Sequence, residues 1–236
     1  MKAYNFILLF VLFVLSSCSM YHPQAVDIPL LTTKGEIKAD ATFSVAATMI
    51  PSTPGINTTI SYAATDCIAV QGFADYDGET NHYFQGAIGA FKPFNRFVLE
   101  GFAGVGVGYS FHQYDYSTQN RRNEIFGNYN IYFGQVDFGW NNLTAVHIDV
   151  GGAIKMGAFC PNFVSIDYNT NDETITSQIN YDSPLLLVEP QLFFRLGSES
   201  FKVCFKFGFT SLGTNKSKAE FQYEPFNFGL GVNFRF

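Results

Sequence analysis

At 236 residues and a net charge of −6, the chain has the length of one large β domain and lacks the basic balance that nucleic-acid binding requires. Its 27 Phe, 13 Tyr and 21 Gly accompany a charged fraction of only 14%. After the N-terminal apolar run no stretch of 18 apolar residues occurs, so no spanning helix is expected and the apolar surface must be carried by strands.

The chain opens Met1-Lys2, followed by an apolar run from Phe6 to Leu15. About ten residues cannot span a hydrocarbon core, which needs roughly 20 in a helix. A basic start and a short apolar run read as a signal peptide over residues 1–17. The run ends Leu15-Ser16-Ser17-Cys18, which resembles a bacterial lipobox. The resemblance implies cleavage before Cys18 and acylation of its thiol; the alternative is an ordinary secretory signal with a chance cysteine. Residues 18–35, with Pro23, Pro29 and Leu30-Leu31, read as a lipidated tether leading to the first strand.

From Glu36 onward the alternation is regular, and residues 36–236 read as one domain. Ten strands are expected, near 36–48, 55–64, 67–76, 82–92, 96–111, 124–140, 144–157, 183–196, 200–210 and 221–236. In 144–157, Val146, Ile148, Val150, Ile154 and Met156 share one parity, and His147, Asp149, Gly151, Ala153 and Lys155 the other. Phe201, Val203, Phe205, Phe207 and Phe209 oppose Lys202, Cys204, Lys206 and Gly208. Period two over nine to thirteen residues means strands with two unlike faces. The non-apolar face is rich in small residues, as at Gly104, Gly106 and Gly108, where a soluble sandwich would carry long charged side chains. Small residues inward and bulky apolar residues outward are the pattern of a transmembrane antiparallel up-and-down β-barrel.

The connections support this fold class. Thr65-Asp66, Asn141-Asn142 and 197–199 are tight, while 112–123, 158–182 and 211–220 are long and polar. Short turns on one side and long loops on the other place both chain ends at the periplasmic side of a cell outer membrane. Parity breaks are expected near Asn128-Tyr129-Asn130 and Glu224-Pro225. Tyr62, Tyr76, Tyr83, Tyr109, Tyr132 and Trp140 are candidates for interfacial girdles.

Facing inward by parity are Glu36, Lys38, Asp40, Glu100, Asp137, His147, Asp149, Lys155, Glu189, Arg195, Lys202, Lys206 and Arg235. Charges inside a narrow barrel must pair, because an isolated buried charge is very costly. A mostly side-chain-filled lumen follows, rather than a wide pore. His147 and Asp149, about 7 Å apart along one strand, could orient a general base. His112, level in parity with Ser110 at the outer end of 96–111, could serve surface lipid chemistry. A structural polar pair is the plainer reading of the first couple, and a chance spacing of the second. Cys67, Cys160 (in the long loop) and Cys204 are an odd set, which excludes a complete disulfide framework. No cofactor or metal site is expected, since no His/Cys cluster has ligand spacing.

The terminal run Asn227-Phe-Gly-Leu-Gly-Val-Asn-Phe-Arg-Phe236 resembles the C-terminal insertion signal of bacterial outer-membrane barrels. The resemblance implies that Phe234 and Phe236 are read by the barrel-assembly machinery. The stretch from Tyr21 to Glu36, with its Pro-Leu-Leu and Lys-Gly-Glu, is similar to the start of small lipidated outer-membrane barrels of Bacteroidota. That family implies a fold, a location and contact with outer-membrane lipids, and no reaction. Three functions stay open: a non-enzymatic structural or interaction lipoprotein with an outer-membrane protein partner, a narrow channel for small solutes or ions, and a surface lipid-modifying enzyme.

Overall fold

The computed structural model describes residues 21, 28–47, 54–77, 81–116, 120–213 and 223–236. The strands are β1 (Ile37–Ala47), β2 (Gly55–Ala63), β3 (Ile68–Tyr76), β4 (Asn81–Phe94), β5 (Phe97–Tyr116), β6 (Arg121–Trp140), β7 (Asp149–Asn169), β8 (Thr174–Tyr181), β9 (Leu185–Gly197), β10 (Phe201–Phe209), β11 (Ser211–Gly213) and β12 (Phe226–Arg235). All pair antiparallel. Neighbours in sequence pair from β1 to β7, β7 pairs β9, and β1 pairs β12, so ten strands close into a barrel. Closure removes the sheet edges that would otherwise sit unpaired in lipid. Phe236 and Ile37 exchange backbone hydrogen bonds of 2.9 and 3.1 Å, so the last residue completes the seam at the start of β1.

The other two strands depart from the expected set for identifiable reasons. β11 keeps the register of the β10–β9 pairing; the two are separated opposite Pro190, which has no N–H for the ladder. β8 pairs only with the outer part of β7, from Phe163 to Asn169, beyond the reach of β9. The expected long loop at 158–182 is therefore a hairpin, and Cys160 lies within β7 rather than in a loop.

The two faces separate by parity. Along β5 the outward residues are Phe97, Leu99, Gly101, Ala103, Val105, Val107 and Tyr109, without a charge. Ile60 and Ile88 are each 61% exposed, and Phe43, Phe84, Leu192, Phe205 and Phe228 also face outward. Such an apolar belt is stable only against lipid. Tyr62, Tyr76, Tyr109, Tyr132 and Trp140 face outward with it.

Tyr83 does not join them, since it is buried inside the barrel. Nor does β6 lose parity at Tyr129: the odd residues from Ile125 to Gly139 face inward throughout, and Asn128 and Asn130 face outward. The expected break arises from assuming a polar interior. Tyr129, Ile131 and Phe133 point into an aromatic core, so apolar residues occupy the inner face there. β12 begins at Phe226, leaving Glu224-Pro225 just before the strand.

The turns at the end of the barrel that holds the Phe236–Ile37 seam are short. Asn95 and Asn142 take positive φ there, as Asn tolerates. His147 also has a positive φ of 51°, in the turn before β7. A strand cannot include that backbone conformation, so β7 starts at Asp149 and not at Thr144.

Candidate functional site: the lumen and its N-terminal plug

The lumen contains more than side chains. The sequence reads residues 18–35 as a tether leading to the first strand; the described part of it lies inside the barrel. Ile28, Leu30 and Leu31 are fully buried, against Val98, Ala153 and Phe193 on one side and Phe91 and Phe102 on the other. The reason is visible in the backbone bonds. The amides of Leu30 and Leu31 donate to the two oxygens of Glu100, at 2.9 and 2.7 Å. The Leu30 carbonyl accepts from Lys38 Nζ at 2.8 Å and Asn141 Nδ2 at 3.0 Å. Arg195 Nη2 donates to the Ile28 carbonyl at 2.5 Å. An irregular segment can occupy a barrel only if its amides and carbonyls are satisfied this way. Leu30 sits at φ 51°, an unfavourable conformation for a residue with a Cβ, held by these bonds on both sides of its peptide.

Beside the Phe236–Ile37 seam the segment turns into β1. Gly35, with φ 83°, makes the turn, and its amide donates to the Ala63 carbonyl at 2.8 Å. Glu36 holds this turn closed. One carboxylate oxygen accepts from the Thr32 amide at 2.7 Å, its hydroxyl at 2.9 Å and the Thr33 amide at 3.2 Å. The other faces Arg235 Nε at 3.0 Å and Lys38 Nζ at 3.5 Å. Burial pushes the Glu36 carboxyl up, but Lys38, the Thr32 amide and Arg235 outweigh it and hold the carboxyl below its ordinary range. Arg235 also donates to Thr32 Oγ1 at 2.9 Å, so the last strand grips the segment too.

Above this lie the paired charges. Lys202 meets Asp149 at 2.5 Å, with Arg195 Nη1 4.0 Å from the same carboxylate. Lys206 meets Asp40 at 2.5 Å. Lys155 lies 3.4 Å from Glu189 and donates to Gln85 Oε1 at 3.0 Å. Asp137 accepts from Gln135 Nε2 at 2.8 and 3.0 Å. Glu100, Asp137, Asp149, Lys155, Glu189, Arg195, Lys202 and Lys206 are thus all buried in the lumen, in separate pairs and small clusters, with half-buried Arg235 beside the Phe236–Ile37 seam. His147 is not part of the inward face. Its Nδ1 lies 3.2 Å from Asn142 Oδ1 in the turn before β7, and the positive φ removes it from the strand that carries Asp149. The His147–Asp149 couple on one strand face is not formed.

The outer half of the lumen is aromatic. Tyr129 stacks on Tyr83 at 5.8 Å, packs on Phe159 at 5.2 Å and lies 6.1 Å from Phe163. Glycines on β5 make the room. A Cβ at Gly106 would overlap the Tyr83 ring, and one at Gly108 the Tyr129 ring. Tyr21 enters this cluster edge-on to Tyr129 at 5.6 Å and 4.9 Å from Phe159, and its hydroxyl donates to Glu189 at 2.7 Å. Its carbonyl accepts from the Glu224 amide at 3.2 Å. Tyr21, Leu30, Leu31, Tyr83 and Tyr129 are the functional residues that sequence reasoning missed. The same-parity Tyr129, Ile131 and Phe133 were the available signal.

At the outer end, Ser110 Oγ donates its one proton to Asn81 Oδ1, and His112 stacks on Tyr114 at 6.2 Å. Cys18, Phe221 and His22 lie outside the described residues. Phe234 faces outward, 5.3 Å from Phe201 and 6.3 Å from Phe236.

No protein-family model matches the chain, and no curated protein matches it. Among solved structures, in-vitro folded OmpT, an outer-membrane protein of Vibrio cholerae, is 10% identical with a TM-score of 0.22, covering 86% of this chain and 96% of that one. OmpT expressed in the outer membrane of the same organism gives 10%, 0.23, 86% and 96%. Salmonella typhi OmpF, in complex with daunomycin, is 9% identical with a TM-score of 0.23, covering 85% and 96%. No activity is carried over at this level of likeness. The fold is established by the strand pairing itself: an all-β, closed antiparallel barrel of ten strands with two short additions.

Proposed function

We propose that this chain is a non-enzymatic outer-membrane lipoprotein, acylated at Cys18, that serves as a structural or interaction component rather than a pore. The observation that carries the reading is the occupied lumen. The Tyr21 and Ile28–Gly35 portions of the chain, the paired charges and the aromatic core fill the cross-section. Beside Lys155 and Glu189 a gap of about 10 Å³ holds one water at most. A belt of Phe, Ile, Leu and Val facing outward supports contact with outer-membrane lipids. The terminal Phe234 and Phe236 support insertion by the barrel-assembly machinery.

The outer hairpin of β7 and β8 offers a surface for a protein partner. It stands above the belt, braced by Arg122, which meets Glu173 at 2.8 Å and Glu124 at 3.1 Å and lies 4.9 Å from the Tyr168 ring centre. An enzymatic alternative gains nothing from Ser110, whose proton is directed at Asn81 and not at His112.

Reconstitution in planar bilayers tests the reading. Folded protein is expected to give no steady single-channel current; a reproducible unitary conductance would replace it with the narrow-channel function. Mass spectrometry of the mature N-terminus tests acylation, and an unmodified Cys18 or cleavage elsewhere would remove the lipoprotein half of the proposal.

A further inference from the structure

The position of Tyr21 bears on which side of the membrane the N-terminus occupies. β12 begins at Phe226 opposite Ala47, at the end of the barrel away from the Phe236–Ile37 seam. Glu224, two residues before it, donates its amide to the Tyr21 carbonyl. The Tyr21 backbone is therefore level with the outer rim, and its ring hangs down to Glu189. Ile28 lies lower in the lumen beside Arg195, and Thr32 lies beside Arg235, next to the Phe236–Ile37 seam and just before β1. Tyr21, Ile28 and Thr32 thus mark successive levels of the lumen, from the end away from the seam to the seam itself.

Reach decides where the preceding residues can go. Cys18 is three residues before Tyr21, at most about 10 Å of chain. The nine steps of β12 from Phe226 to Arg235 span about 30 Å along the strand, or roughly 23 Å along the axis at the usual barrel tilt. Three residues cannot cover that. The way down is also closed by Tyr129, Phe159, Glu189 and Lys155 below the Tyr21 ring. Among the described residues, the gap beside Lys155 and Glu189 is about 10 Å³, too small for an acyl chain.

We infer that the chain preceding Tyr21 leaves through the outer mouth and carries Cys18 to the outer face of the membrane. This rests on the acylation proposed above for its consequence, a lipid inserted in the outer leaflet, and on the Phe236–Ile37 seam facing the periplasm; it reverses the periplasmic-side N-terminus expected from sequence. The lumen segment would then be fixed at both ends, by the lipid outside and by β1 at the periplasmic side.

The test is a short epitope inserted between Ser19 and Met20 of the full chain, scored only in protein that shows heat-modifiable migration. A tag between Asn171 and Asp172, in the β7–β8 turn, serves as the outer control. A tag between Thr65 and Asp66, in the β2–β3 turn, serves as the periplasmic one. Antibody is expected to label the N-terminal tag equally on intact and permeabilised cells, as it labels the outer control. Labelling only after permeabilisation would overturn the inference. If the insertion blocks folding, M20C probed with a membrane-impermeant maleimide gives the same readout, with exposed Cys67 in the β2–β3 turn as an internal periplasmic reference. Mass spectrometry of the same N-terminus separates the two ideas. An unacylated terminus that is still labelled on intact cells removes the lipid and keeps the route; an acylated terminus that is not labelled removes the route and keeps the lipid.

Discussion

Glu100→Ala is the sharpest perturbation of the occupied lumen. The Glu100 carboxylate is 2% exposed and receives the amides of Leu30 and Leu31, one on each oxygen. Hydrogen bonds to a charged acceptor contribute about 1.5–3 kcal/mol each. Removal leaves two buried amides without an acceptor, and leaves the Lys38 and Arg195 charges without one of their neighbouring anions. The combined loss is about 3–5 kcal/mol, the range for breaking a buried charged contact from one side. The barrel ladder does not depend on it, because Glu100 joins the segment to the wall and not strand to strand. The cost should therefore fall on docking of residues 28–32. Hydrogen exchange at the Leu30 and Leu31 amides reads this directly, with acceleration of roughly 10²- to 10⁴-fold expected. Glu100→Gln keeps one acceptor oxygen and loses the charge, so it should fall between. Heat-modifiable migration should persist in both variants. Unchanged protection of the two amides in Glu100→Ala would refute the reasoning that this carboxylate clamps the segment.

Glu36 should give the end of the barrel beside the Phe236–Ile37 seam a defined acid sensitivity. Its folded carboxyl is held below the unfolded value of about 4.3. The stability it contributes is present above that unfolded value and is lost as pH falls through the lower folded one. Urea unfolding midpoints from pH 7 down to pH 3 should drop at the acid end in the parent protein, and Glu36→Gln should lack that component of the drop. Gly106→Val should destabilise by about 1–3 kcal/mol through overlap with the Tyr83 ring. Adding Tyr83→Ala should recover part of that loss, and a double-mutant cycle with no coupling would contradict the close approach. His147→Ala should leave folding and any bilayer behaviour unchanged to within about 0.5 kcal/mol, as a partly exposed turn residue outside the lumen network does; a larger effect on the unfolding midpoint would return His147 to the network.

Strand number and closure were legible because each rests on local pattern. Period-two alternation in Phe201–Phe209 and Phe226–Phe236 specifies which face meets lipid, whatever the partner strand is. The pairing partners of the buried charges were not legible. Lys206 meets Asp40 from a strand far away in sequence, and the Lys155–Glu189 pair depends on the β7–β9 register across the inserted β8. The β8 hairpin itself was hidden because Thr174–Tyr181 stands in water on nearly every side, so neither face is apolar and no alternation marks it.

The interior misled for a different reason. A rule that bulky apolar residues face lipid and small or charged ones face inward holds for β10 and β12. It fails on β6, where Tyr129, Ile131 and Phe133 face inward and Asn128 and Asn130 outward. The two lumen halves solve the same problem by different chemistry. Towards the Phe236–Ile37 seam, charges pair and satisfy the backbone of residues 28–33; at the other end, rings pack into space left by Gly106 and Gly108. The segment explains the division. Between Ile28 and Leu31 it presents amides and carbonyls that need Glu100, Lys38, Asn141 and Arg195, while at Tyr21 it presents a ring that needs other rings and one acceptor, Glu189. Pro29-Leu30-Leu31 is too apolar to rest in water as a tether, and that composition was the one local sign that the lumen has a second occupant.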